Sequence, residues 1–124
     1  TVCELMHSGD DIPKVLEESH SSDVISEISK KRLGVTLVTD QTGQLKGLVT
    51  DGDLRRIVEK GKDISQMKAS GMMIKNPKTI TKETLAAKAL QIMEEHSITS
   101  LIVANEGTIE GVIHLHDILK AGVI

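Results

Sequence analysis

The sequence contains no phenylalanine, tyrosine or tryptophan. Proteins that hold single-stranded nucleic acid stack bases on aromatic platforms, so that mode of recognition is excluded. Any base bound here must lie between aliphatic side chains. The single cysteine, Cys3, cannot form an intrachain disulfide. The fold must therefore stand on packing alone, as in a reducing compartment, and a lone thiol near a terminus is given no role. No apolar run approaches the roughly 20 residues needed to span a bilayer. The N-terminus, which opens on Thr1, lacks the basic start, apolar stretch and small-residue cleavage site of a secretory signal. These absences lead us to expect an excised piece of a cytoplasmic protein with no membrane partner. An excess of positive charge is also lacking: 15 Lys and Arg stand against 18 Asp and Glu, a net charge of −3. A nucleic acid polymer needs a broad basic surface, whereas a small anion needs only a local cluster.

What is present is a soluble-type composition, 39% hydrophobic and 27% charged, over 124 residues. That is the size of one ordinary domain. The chain is internally duplicated. Gly47 to Asp53 (GLVTDGD) aligns with Gly111 to Asp117 (GVIHLHD), and the same offset pairs Gly43 with Gly107, Leu54 with Ile118 and Arg56 with Lys120. Upstream, Leu33 matches Ile98, Val38 matches Val103 and Met6 matches Met73 at slightly larger offsets, as small differences in turn length would produce. Two copies of about 60 residues fill the chain, which makes a pair rather than an open array. The expected boundaries are 1–62 and 63–124.

Each copy has the pattern β-α-β-β-α. A short extended piece (Ile12 to Val15; Lys78 to Thr81) precedes an amphipathic helix. Val24, Ile25 and Ile28 form the apolar face in the first copy, and Leu85, Ala89, Ile92 and Met93 in the second, with Thr84 as the expected N-cap. Apolar runs Val35 to Thr39 and Ser100 to Ala104 lead through glycine-bearing turns into Leu45 to Val49 and Ile109 to Ile113, two hairpins. The last helices start at Asp51 and Leu115 and end near Gly61 and Gly122. Lys62 to Asn76 reads as linker and lead-in segment, with Pro77 stopping any helix. The methionines Met67, Met72 and Met73 read as packing.

Glycine, two aliphatic residues, threonine, two further residues and aspartate, at the junction of the last strand and last helix, resemble the motif of the CBS domain. The resemblance covers the whole chain. The strings TDGDLRR and HLHDILKAGV, with LMHSGDDIP near the start, resemble the C-terminal CBS pair of arabinose-5-phosphate isomerases; SGMMIKNP departs at Gly71, where that family often has an acidic residue. The resemblance implies an α+β fold in which two CBS repeats pack through their sheets as one pseudo-twofold Bateman module. It implies a nucleotide or nucleotide sugar, CMP-Kdo or AMP/ATP, in the cleft between repeats. It also implies a separate isomerase domain that holds all catalytic residues, a homodimer of modules and a higher oligomer in the longer protein. No cofactor and no catalytic residue is expected in this chain. The rival is a structural oligomerisation module that binds nothing.

In such modules the aspartate accepts from the ribose hydroxyls and the hydroxyl residue reaches the phosphate, roles that fall on Asp53 with Thr50. Chemistry permits this, since a carboxylate can accept from two cis hydroxyls and a helix N-terminus attracts phosphate. Thr50-x-x-Asp53 is equally a capping box that binds nothing. In the second copy His114 takes the cap position, where histidine is a poor cap, so Asp117 lacks a reciprocal cap and is expected to serve a ligand. Gly47 lets backbone come close. Arg55 and Arg56 are candidates for phosphate contact, against the alternative of a solvated helix face. Thr36, Thr99 and Ser100, at the start of the middle strands, and Thr79, on the lead-in strand, match positions the family uses for sugar, phosphate or base. Ordinary strand residues are the alternative. His114 and His116 also form a His-x-His pair, but no further ligand has recognisable spacing, so no metal is assigned. The pair is assigned to the ligand instead.

Overall fold

The computed structural model describes residues 1–122. Val123 and Ile124, which end the second expected repeat, lie outside the described residues. The strands are β1 (Lys14–Leu16), β2 (Val35–Thr39), β3 (Leu45–Thr50), β4 (Ile74–Lys75), β5 (Thr79–Ile80), β6 (Ser100–Asn105) and β7 (Thr108–His114). The helices are α1 (Ser21–Lys31), α2 (Asp51–Glu59), α3 (Ala69–Met72), α4 (Ala86–His96) and α5 (Leu115–Lys120). The fold is α+β, with one sheet ordered β1-β2-β3-β4 and another ordered β5-β6-β7. In each, a short strand pairs in parallel with the first strand of an antiparallel hairpin.

Local chemistry explains the elements. Helix α1 starts at His20, whose Nδ1 accepts the Ser22 N–H, and ends at Arg32 in the left-handed region. Val24 and Ile28 are buried, whereas Ile25, expected on the same face, is 40% exposed; one residue past Val24 is a rotation of about 100° around the helix. Helix α4 buries Ala86, Ala89, Leu90, Ile92 and Met93. Its N-cap is Leu85 rather than the expected Thr84, whose hydroxyl instead meets that of Thr81. The β6–β7 hairpin turns through Glu106 and Gly107, both at positive φ as a primed turn requires. Both hairpins carry an irregularity at matching places, Val38/Thr39 and Val103/Ala104.

The compact units in space are a different division of the chain from the two sequence repeats. One joins Thr1–Ile12 to Lys78–Ile124, and the other is Pro13–Pro77. Each lead-in segment thus serves the hairpin of the other copy. In the Pro13–Pro77 unit, Ala69 and Met72 of α3 join the core of Val24, Ile28, Val38 and Val49, and β4 pairs with β3 at Gly47 and Leu48. The supposed linker is therefore ordered and carries a strand. In the other unit, Val2 joins Leu101, Val103, Ile113 and Ile118, and His7 bridges Val112.

The reason lies in two glycines. A Cβ on Gly47 would stand 2.5 Å from Met73 Sδ and 2.8 Å from the Ile74 carbonyl oxygen; one on Gly111 would stand 2.5 Å from Met6 Sδ and 2.7 Å from the His7 carbonyl oxygen. The matching pair Met6 and Met73 lies across the matching pair Gly111 and Gly47. In Gly111→Ala the thioether can turn aside, but the His7 carbonyl is fixed by its pairing with Val112. Such overpacking costs about 1–3 kcal/mol. The expected result is a lower urea midpoint at an unchanged denaturant slope; an unaltered midpoint would show that the lead-in segment does not rest there.

Candidate functional site

The hairpin's second strand runs directly into the last helix in both units, so the motif side chains cluster at that junction. In the first, the Asp53 N–H donates to Thr50 Oγ1 (3.1 Å) and the Thr50 N–H donates to Asp53 Oδ2 (2.9 Å), a complete capping box. The remaining oxygen, Oδ1, accepts from the Arg56 guanidinium at 2.6 Å. Asp53 is 8% exposed and Arg56 57% exposed. A cation with one end in solvent and the other on the motif carboxylate is placed to meet an anion without being consumed by the core.

In the second, the His114 N–H donates to Asp117 Oδ2 (2.8 Å), and the His116 N–H donates to His114 Nδ1 (3.0 Å). His114 therefore does cap its helix, through a ring nitrogen, and the expectation that Asp117 lacks a reciprocal cap is corrected. Asp117 Oδ1 lies 3.0 Å from Nε2 of His7. Lys120, the sequence match of Arg56, makes no ion pair with Asp117 among the described residues. The His114 and His116 rings meet edge to face at 4.8 Å. Burial first, then the neighbouring His116, lowers the His114 pKa against the opposing pull of Asp117, with His7 a further lowering influence. Among the described residues no group of three or more histidine, cysteine, aspartate and glutamate side chains is arranged to hold a metal ion.

The other candidates separate. Arg55 turns to Glu59 (3.7 Å) and is 71% exposed, away from Asp53. The space beside Gly47 is occupied by Met73, so its close approach is to the chain itself. Thr36 is fully buried and its hydroxyl donates to the Leu37 carbonyl. Ser100 is buried on β6 directly opposite His114. Thr99 is exposed, its carbonyl accepts the Leu115 N–H, and it lines an open, mostly apolar cavity of about 370 Å³ between α4 and α5 with Leu90, Met93, Ile98 and Leu115. Thr79 is exposed on β5, opposite Ile102. Thr50, Asp53 and Arg56 thus come together, as do His114, His116 and Asp117. His7 was missed as a partner of the motif; the only signal was the Met6 to Met73 match one residue before it.

The depressed His114 pKa has a consequence for stability. Unfolded, the side chain titrates around its ordinary 6.5; folded, it takes its proton only at lower pH. In the window between, the unfolded state binds more protons, so stability is full above 6.5 and falls as pH drops through the window. Protonation also removes the Nδ1 acceptor from the cap. His114→Thr, which copies the first motif, is expected to flatten the fall in thermal midpoint between pH 7.5 and 5.5. Identical slopes for the two proteins would mean that His114 does not titrate as described.

Comparison with known proteins places these observations. The CBS domain family model matches residues 2–60 and 68–124. Arabinose 5-phosphate isomerase KdsD of Yersinia pestis is 38% identical over 99% of this chain, and that of Escherichia coli K12 is 37% identical over the same share. An uncharacterized protein of Rickettsia prowazekii is 44% identical over 96% of the chain. The chain spans 38% of the length of those two isomerases and 37% of the Rickettsia protein. Among solved structures, CBSX2 in complex with AMP matches with a TM-score of 0.84 at 22% identity, covering 99% of this chain and 96% of that one. A CBS domain protein of Pyrobaculum aerophilum complexed with AMP matches at 0.82 and 21% identity, covering 99% and 98%. No helix among the described residues is long and apolar enough to cross a membrane.

Proposed function

The chain belongs to the CBS domain family, and from that membership we propose that it is the nucleotide-sensing regulatory module of an arabinose 5-phosphate isomerase. The observation that carries the reading is the repetition of one device, a largely buried aspartate at a strand-to-helix junction, held by the backbone N–H three residues before it. Asp53 and Asp117 each centre a site and accept from ribose hydroxyls. Arg56, paired with Asp53 yet more than half exposed, offers a cation to phosphate in the first site, and Thr50 lies beside Asp53. His114 and His116 flank the carboxylate in the second. Thr79 and Thr99 are exposed and Ser100 lies opposite His114, whereas Thr36 is fully buried, Arg55 pairs with Glu59 and Gly47 is covered by Met73.

Kinship with KdsD isomerases supports CMP-Kdo, an activated end product of the Kdo pathway, as the physiological ligand. The AMP complexes of two structural relatives support adenine nucleotides as the alternative. Isomerase chemistry is assigned to the part of those relatives that this chain does not span. Binding would alter the rate there by favouring one of two arrangements of the whole protein, which requires different affinities for the two. Val58 and Leu119, 58% and 42% exposed on the last helices, favour self-association of modules.

A ligand present at 100 times its dissociation constant adds about 2.7 kcal/mol of stability. AMP, CMP or CMP-Kdo is therefore expected to raise the thermal midpoint, read with an extrinsic dye, and to do so in EDTA. Asp53→Asn with Asp117→Asn keeps an acceptor for each cap and is expected to abolish the rise. If no nucleotide at millimolar concentration moves the wild-type midpoint, a structural module that binds nothing is the better account.

A further inference from the structure

We propose that His7 is a positioning residue of the second site, so that docking of the N-terminal lead-in segment and ligand binding at Asp117 are linked. The inference rests on the reading of Asp117 as a ligand group. An ionised carboxylate has about four acceptor positions, two on each oxygen. Among the described residues, Asp117 uses one on each: Oδ2 takes the His114 N–H at 2.8 Å and Oδ1 faces His7 Nε2 at 3.0 Å. Asp53 is filled in the same way, by the Thr50 N–H at 2.9 Å and Arg56 at 2.6 Å. Each carboxylate is thus fixed in orientation with one acceptor position left on each oxygen, the number that a cis diol supplies donors for.

The two sites differ in who holds Oδ1. In the first it is Arg56, three residues along the same helix and more than half exposed. In the second the equivalent Lys120 makes no ion pair with Asp117 among the described residues, and the donor arrives from the far end of the sequence. His7 cannot swing as an arginine does, because its backbone is clamped to β7: the His7 N–H donates to the Val112 carbonyl (2.8 Å) and the Val112 N–H donates to the His7 carbonyl (3.0 Å). Met6 lies across Gly111 just before it. The ring is held within reach of Asp117 only while that pairing lasts. A ligand that needs Asp117 in this orientation therefore favours the docked segment, and by reciprocity the docked segment favours the ligand. In the first site Thr50 and Arg56, which hold the Asp53 carboxylate, both lie within three residues of it.

The test uses the 124-residue chain with Asp53→Asn, so that only the second site is read, and AMP and CMP as probes in calorimetric titrations. A hydrogen bond to a charged group is worth about 1.5–3 kcal/mol, so His7→Ala is expected to weaken binding about tenfold or more. His7→Gln, whose amide can donate from a similar reach, is expected to recover most of it. Hydrogen exchange at the His7 and Val112 amides is expected to slow with ligand, and not to slow when Asp117→Asn is added. Equal affinity for His7→Ala and its parent, or exchange at those amides indifferent to bound ligand, overturns the role of His7 and leaves Asp117 as a ligand group. A parent that binds neither probe, while wild type also binds neither, overturns the reading of Asp117 itself and this inference with it.

Discussion

Everything in this fold depends on a close contact that only glycine permits. Gly47 and Gly111 sit in the second strand of each hairpin, and the lead-in segment of the other copy lies directly on them with a methionine over the missing side chain. That contact lets a two-residue strand, β4, extend one sheet, and in the other it lets His7 bridge Val112. The buried clusters follow from it, since Ala69 and Met72 complete one and Val2 completes the other. A chain of two copies thereby becomes two compact units that each borrow from the other's sequence.

The same contact makes the two motif sites alike in plan and unlike in chemistry. Both aspartates close a capping box and both have their second oxygen held. Capping and ligand binding are thus compatible rather than rival roles, because a carboxylate has acceptor capacity for both. Arg56 gives the first site a permanent charge. The second is surrounded by three histidines, His7, His114 and His116, of which His114 is kept short of its usual proton affinity by burial. Two sites built on one plan but differing in charge need not prefer the same nucleotide.

Much of this was legible in the residues. The hairpins and last helices follow from β-branched runs, glycine turns and the strand-to-helix motif, all of which act within a few residues of one another. Gly107 and the αL position before it, or Asp53 reaching back to Thr50, are local chemistry. What was hidden is long-range or unusual. Nothing near Met6 or Met73 indicates which hairpin they cover, and the exchange of lead-in segments makes an apparent linker into core. Histidine rarely caps, so the role of His114 does not follow from residue preference, yet a neutral ring nitrogen is a competent acceptor. The close approach that Gly47 permits is that of Met73 and not of a ligand, a long-range contact that its neighbours in sequence do not signal. The partnership of His7 with Asp117 spans nearly the whole chain, and the Met6 to Met73 match beside it says nothing of which side chain His7 meets.

The central claim, that two aspartate-centred sites bind nucleotide, is tested most directly by amide chemical shifts in a uniformly labelled sample titrated with AMP and with CMP. A chain of 13.4 kDa is well suited to it. Nucleotide binding at both aspartates requires the amides of Thr50 to Arg56 and of His114 to Asp117 to move together with saturation of each site. Saturating nucleotide that leaves both stretches unmoved, or that moves only residues elsewhere, would contradict it.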